Sequence, residues 1–284
     1  MTFEDISFVK PNLHRGSSID TKSSSSSLES DVSSTFYVKK LNSGPATLQE
    51  MIAEREWERA IRVLRVKPCF AKKKVTVPSF LNEWKGTAAI YPIHQACASP
   101  TVPLSVLDAL LFAYPKGLRK KESVMKRNCL HIALRAGASE DVISYLIERC
   151  PTLACEQDSQ GRIPLHYACS NSSSIAIIRK LVNVCPRSIC ATDIRGWTSL
   201  HVAVSKVVDP EVPRFLVSVC PDAVAIQTRA GSTPVKILYW CPTKNSPIYL
   251  SILQEVERDY FNCPVLDNYY QKSIKTTPMQ YSYV

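Results

Sequence analysis

The 284 residues are enough for one or two globular domains or one elongated array, and 45% apolar residues are ordinary for a folded chain. Eight Gly against 19 Pro argue against an all-β protein built on glycine turns. The formal charge of +10 is a statement about solubility and attraction to acidic partners, not about fold. The opening MTFEDISFVKPNLHRG does not read as a secretory signal, and Glu4 and Asp5 disfavour an organelle presequence. No apolar run reaches the length of a membrane span. Eleven Cys without a leader are expected in a reduced, cytoplasmic or nuclear setting, where they serve mostly as small buried apolar residues.

Residues 1–44 carry SIDTKSSSSSLESDVSS and read as a disordered serine-rich tail. Structure is expected from Thr47, which forms a capping box with Glu50 ahead of a first helix. Trp57, Ile61 and Leu64 supply the apolar stripe of a second helix, and Pro68 stops it. From there a mark recurs: IHQAC at Ile93, LHIAL at Leu130, LHYAC at Leu165, LHVAV at Leu200 and, with Lys236 in the histidine slot, VKILY at Val235. The slots are 37, 35, 35 and 35 residues apart, and of the five histidines only His14 lies outside them. A second mark keeps the same step. Tyr114-Pro115, Cys150-Pro151, Cys185-Pro186 and Cys220-Pro221 each close an amphipathic stretch, as a proline-stopped helix does. Ser246 to Tyr260 reads as a closing helix, and residues 261–284 lack a helical period.

Each unit is thus a short helix, a turn, a second helix, then proline and a loop. Neither helix is long enough to stand alone, so the units must stack and share a core. At Asp158 to Cys169, DSQGRIPLHYAC, followed by TDIRGWTSLHVAV and RAGSTPVKILY, the chain resembles the ankyrin-repeat family in a divergent form. The resemblance implies an all-α solenoid of about five helix-turn-helix repeats over residues 45–260, used to bind a protein through its concave face and inter-repeat loops. It is specific in the middle units and weak at both ends.

The same pattern bears on catalytic and metal chemistry. His94 and Cys97, and His166 and Cys169, share a helix face at a spacing zinc accepts, but Leu134 and Val204 hold the Cys slot elsewhere. A structural histidine that hydrogen-bonds loop backbone, one per unit, is the expectation. Cys150/Cys155 and Cys185/Cys190 recur in register, and Ala225 replaces the second Cys in the next unit. That reads as a demand for a small buried residue. No phosphate-binding glycine loop and no nucleophile elbow is present, so neither an enzyme nor a cofactor is expected.

Charge is concentrated. Lys72, Lys73, Lys74 and Lys85 face one acid, Glu83, in the loop 68–92, and Lys116, Arg119, Lys120, Lys121, Lys126 and Arg127 face Glu122 in 115–129. The three later loops are close to neutral. The first loop is also long, and its segment Val75 to Gly86, with Trp84, is either a gripping finger or a solvated insertion. Partner contacts are expected at Lys72, Lys73, Lys74, Trp84, Lys120 and Lys121. The family resemblance adds the positions before each mark and at the end of each first helix: Met125, Arg127, Arg135, Gln160, Arg162, Asn171, Arg195, Trp197, Lys206, Arg229 and Trp240. The expected partner is a protein with an acidic surface. Two other readings stay open: a nucleic-acid or acidic-ligand binder using the basic loops, and a Cys/His metal or thiol enzyme. Phosphorylation of the serine tail, and capture of Ser282-Tyr283-Val284 at a sheet edge, are lesser expectations.

Overall fold

The computed structural model describes residues 47–78, 80–82 and 86–261. Contacts separate Met1–Pro45 from Ala46–Val284, and every described residue belongs to the second unit. The serine-rich segment, Trp84 and the terminal tripeptide lie outside the described residues.

Six helix pairs follow one another. They are α1 (Leu48–Ala53) and α2 (Trp57–Val66), α3 (Pro92–Cys97) and α4 (Leu104–Ala113), α5 (Cys129–Ala136) and α6 (Glu140–Arg149), α7 (Pro164–Ser170) and α8 (Ile175–Val184), α9 (Ser199–Val204) and α10 (Glu211–Val219), and α11 (Pro234–Trp240) and α12 (Ser246–Phe261). The five marked slots each start a pair, and the unmarked first pair makes the sixth. Odd-numbered helices contact odd-numbered ones, α1 to α3 to α5 and so on to α11, and even-numbered helices form a second row from α2 to α12. This is an all-α solenoid with one addition: β1 (Val75–Pro78) pairs antiparallel with β2 (Thr87–Ile90), Val75 opposite Ile90 and Pro78 opposite Thr87. Within the long first loop these two strands make a β-hairpin.

Local chemistry explains the boundaries. Thr47 and Glu50 form the expected capping box. Asn128, Thr198 and Thr233 cap their helices through side-chain oxygens, and Pro92, Pro164 and Pro234 occupy the first turn, where a missing N–H costs nothing. The even helices α6 and α8 start from Ser139 and Ser174 caps. They end at Cys150 and Cys185, and the following proline starts a tight 3₁₀ turn, Pro151–Cys155 and Pro186–Ser188.

The mark itself is a packing device. The residue before each slot (Ile93, Leu130, Leu165, Leu200, Val235) is buried. So are Ala96, Ala133, Ala168 and Ala203, two residues beyond each His slot, all at 0% exposure, where only a small side chain lets successive odd helices approach. Each fully buried Leu contributes roughly 1.5–3 kcal/mol, which no isolated helix of this length could gain.

Candidate partner-binding surface

The loops that link one pair to the next share a hydrogen-bonded tip. In three of them the first residue donates its amide to the carbonyl four residues on: Asp158 to Arg162, Asp193 to Trp197 and Thr228 to Ser232, all at 2.9 Å. The side chain at the head of the turn completes it. Asp158 Oδ1 accepts from the amides of Gln160 and Arg162, Asp193 Oδ1 from those of Arg195 and Trp197, and Thr228 Oγ1 from that of Ser232. Consecutive tips are tied edge to edge by Ser159 N–H to Met125 O at 2.7 Å, Ile194 N–H to Gln160 O at 2.9 Å and Arg229 N–H to Arg195 O at 2.9 Å. Gly196 permits this approach. Its φ is +79°, and a Cβ there would stand 2.7 Å from the amide nitrogen of Arg229.

The histidines lock tips to helices. Each Nδ1 faces the amide of its own helix's N-cap residue, Tyr91, Asn128, Ile163 or Thr198, at 3.1–3.3 Å. Each Nε2 reaches a loop carbonyl of the next unit: Lys120 at 2.9 Å, Arg162 at 3.1 Å, Trp197 at 2.9 Å and Ser232 at 3.1 Å. An acceptor Nδ1 leaves the hydrogen on Nε2, so the neutral imidazole fits both bonds. Burial pulls His94 and His201 down to about 4 and His131 to about 3, and lowers His166 as well. Their role is the structural one the spacing predicts. Cys97 and Cys169, the cysteines that share a face with His94 and His166, are buried. Among the described residues no group of three or more His, Cys, Asp or Glu is placed to hold a metal ion.

The first tip departs from the pattern. Glu122 N–H bonds to Arg127 O, one residue farther than in the later tips, and Lys126, at φ +56°, takes the place of the glycine. Glu122 is 1% exposed and accepts from the amides of Val124, Met125 and Arg127. The Arg127 guanidinium lies against it at 3.4 Å and is itself buried. Arg127, expected to face a partner, is thus an internal counter-ion: a carboxylate buried to cap a turn needs a cation beside it. The pair cancels, and the exposed charge of this tip comes from Lys116, Arg119 and Lys126, with Lys120 and Lys121 half-buried.

This tip and the Lys72–Lys74 segment leading into the β-hairpin form one basic surface. Ala89 of β2 accepts from the Ser123 amide at 3.2 Å, and Ser123 Oγ accepts from the Ala89 amide at 2.8 Å. Beneath lies an aromatic pair, Tyr91 and Tyr114, with ring centroids 6.1 Å apart. Lys72 Nζ stands 6.0 Å from the Tyr114 ring centroid and Lys74 Nζ 5.7 Å from that of Tyr91. Lys72, Lys73 and Lys74 are exposed. Lys121 turns along the stack instead, to Gln157 O at 2.9 Å and Glu156 at 3.3 Å. The sequence marks Tyr114 only as a helix stop and does not point to Tyr91 as part of a surface, although a signal is there: Tyr114 stands where three later units have Cys, and Tyr91 where others have Asn, Ile or Thr.

The remaining expected contacts divide. Arg195 and Arg229 are exposed at adjacent tips, and Trp240 is 43% exposed with Lys236 Nζ 5.0 Å from its ring centroid. Met125, Gln160, Arg135 and Lys206 are half-buried, and Asn171 spends its amide on the carbonyls of Leu134 and Arg135. Arg162 pairs with Asp158 at 3.0 Å and lies over Tyr167. Trp197 packs partly against the core, 6.0 Å from the His201 ring.

The cysteines differ most from expectation. Cys155, Cys190 and Ala225 are exposed at the ends of their turns, so the slot does not demand burial. Partners lie between units rather than within them: Cys155 is disulfide-bonded to Cys185, and Cys190 Sγ is 2.8 Å from Cys220 Sγ.

Residues 93–193 match the family model for ankyrin repeats in three copies. No curated protein matches the chain. Among solved structures, one titled predatory endopeptidase Bd0816 from Bdellovibrio bacteriovorus in complex with immunity protein Bd3460 is similar at a TM-score of 0.58 and 15% identity, over 75% of this chain and 99% of that one. At that identity the likeness concerns the fold. No helix among the described residues is long and apolar enough to cross a membrane. Ankyrin repeats are generally protein-interaction modules, and residues 93–193 carry three copies of that repeat inside a longer helical stack.

Proposed function

We propose that the chain is a protein-interaction adaptor that holds an acidic segment of a partner on the surface formed by the β-hairpin and the first tip. One observation carries the reading: Lys72 and Lys74 are held over the paired rings of Tyr114 and Tyr91, next to the exposed Lys116 and Arg119. Cations fixed on aromatic rings lose less side-chain freedom on binding than solvated ones, and the surrounding charge speeds encounter with an acidic surface. Arg195, Arg229 and Trp240, exposed farther along the stack, extend the contact and supply selectivity.

The test is capture from native lysate by wild type and by a variant with Lys72, Lys73, Lys74, Lys120 and Lys121 changed to Ser, with and without nuclease. A protein set held by wild type after nuclease, and lost by the variant, supports the reading. Equal retention by both refutes the basic surface as the contact. Retention that disappears with nuclease assigns the surface to nucleic acid, where a steep salt dependence would follow.

A further inference from the structure

We propose that Cys190 and Cys220 are an oxidation site that closes a second inter-repeat disulfide, in register with Cys155–Cys185, so that the four cysteines form a two-rung ladder along the even-helix row. The Cys155–Cys185 bond joins positions 30 residues apart with a Cα–Cα distance of 5.8 Å. Cys190 and Cys220 are also 30 apart, with their sulfurs already in contact. Both rungs use the same places in the repeat. Cys155 ends the 3₁₀ turn after α6, and Cys190 follows the turn after α8. Cys185 and Cys220 are the C-caps of α8 and α10, at φ/ψ of −134°/77° and −140°/85°. One unit's turn therefore meets the next unit's helix end twice, with nearly equal backbone geometry. The ladder stops where sequence ends it: Arg119 takes the turn slot before the first rung and Ala225 the slot after the second. Cys150, whose unit follows Arg119, lies 3.3 Å from Thr152 Oγ1 instead.

The reaction needs an oxidant of the low-molecular-weight disulfide class. One cysteine thiolate attacks a sulfur of glutathione disulfide; a mixed disulfide forms and one glutathione thiolate leaves and takes up a proton. The second cysteine thiolate then attacks the protein sulfur of the mixed disulfide, the Cys190–Cys220 bond forms, and a second glutathione leaves. The cysteine pair is oxidised by two electrons and glutathione disulfide is reduced by two. Cys190 is exposed, which gives the reagent access, whereas Cys97, Cys129 and Cys169 are buried at 0–1% exposure. Closure of both rungs ties three consecutive units, α5–α6, α7–α8 and α9–α10, to one another.

The full chain, reduced and then incubated with glutathione disulfide, is alkylated under denaturing conditions, digested and mapped by mass spectrometry. The expected result is a cross-linked peptide pair containing Cys190 and Cys220, with both lost from the alkylated pool, while Cys97, Cys129 and Cys169 are recovered alkylated. Recovery of Cys190 and Cys220 as alkylated thiols or as separate glutathione adducts overturns the proposal. The Cys190→Ser variant is expected to leave Cys220 alkylated or glutathionylated with Cys155–Cys185 intact; a Cys220 cross-link to another cysteine overturns the pairing. Wild type is expected to melt several degrees higher oxidised than reduced, and the Cys190→Ser/Cys220→Ser variant to lose part of that gap. An unchanged gap contradicts the second rung.

Discussion

The first tip and the three later tips solve one structural problem with different residues. Asp158, Asp193 and Thr228 close short turns with a glycine in the left-handed position, and their loops are nearly neutral. The first tip is one residue longer, puts Lys126 where the glycine would be, buries Glu122 against Arg127, and is joined to a β-hairpin. The skeleton of histidine latches is common to both regions. What the difference teaches is that the repeat conserves its backbone hydrogen bonds and varies what the tips display, and the display is most basic where the tip is least regular.

Acid should have the largest effect, because it attacks what the two regions share. A histidine whose pKa is lower in the folded chain than its ordinary value near 6.5 stabilises the fold fully above that value and loses the contribution as pH falls toward its folded value. With His94 and His201 at about 4 and His131 at about 3, each latch loses about 3 kcal/mol between pH 6.5 and 4. Urea denaturation at stepped pH should show stability falling steadily as pH drops through that window; a flat profile across it would sink the latch assignment.

Glu122→Ala separates the regions. It takes away the carboxylate 3.4 Å from the buried Arg127 and leaves three amides uncapped, so it should cost about 3–5 kcal/mol. Asp193→Ala, which removes a capping oxygen from two amides and no buried cation, should cost about 1–2 kcal/mol. Equal costs in chemical denaturation would mean the two tips are built alike after all. Gly196→Ala must push its neighbour's backbone and should cost on the order of 2–3 kcal/mol, against about 1 kcal/mol for Gly137→Ala, where φ is also positive but nothing lies within 4 Å. The smallest effect on stability belongs to the lysines. Replacing Lys72, Lys73 and Lys74 by Ser should change the unfolding free energy by under about 1 kcal/mol, leaving binding as the property they serve.

The helices were legible because their signals are local and periodic: the Leu-His mark, the cysteine-proline or tyrosine-proline stop and the Thr47 cap each act within a few residues. What stayed hidden depended on contacts between units. Arg127 looks like any basic loop residue until Glu122 is seen folded beneath it, and Cys155 pairs with a residue 30 positions away rather than with Cys150 nearby. The β-hairpin was hard to read because its strands are only four residues long and one ends in proline. The aromatic seat of the basic surface arises from Tyr91 and Tyr114, which are 23 residues apart and meet only when α3 and α4 pack.

The most direct test of the binding account places a photo-crosslinking residue at exposed Lys116 in the first tip and, separately, at exposed Arg229 in a late one. Both proteins are then irradiated in native lysate at low and high salt. The account predicts specific protein adducts at position 116 that fade as salt rises, with fewer at 229. Adducts confined to position 229, or adducts at 116 indifferent to salt, would contradict it.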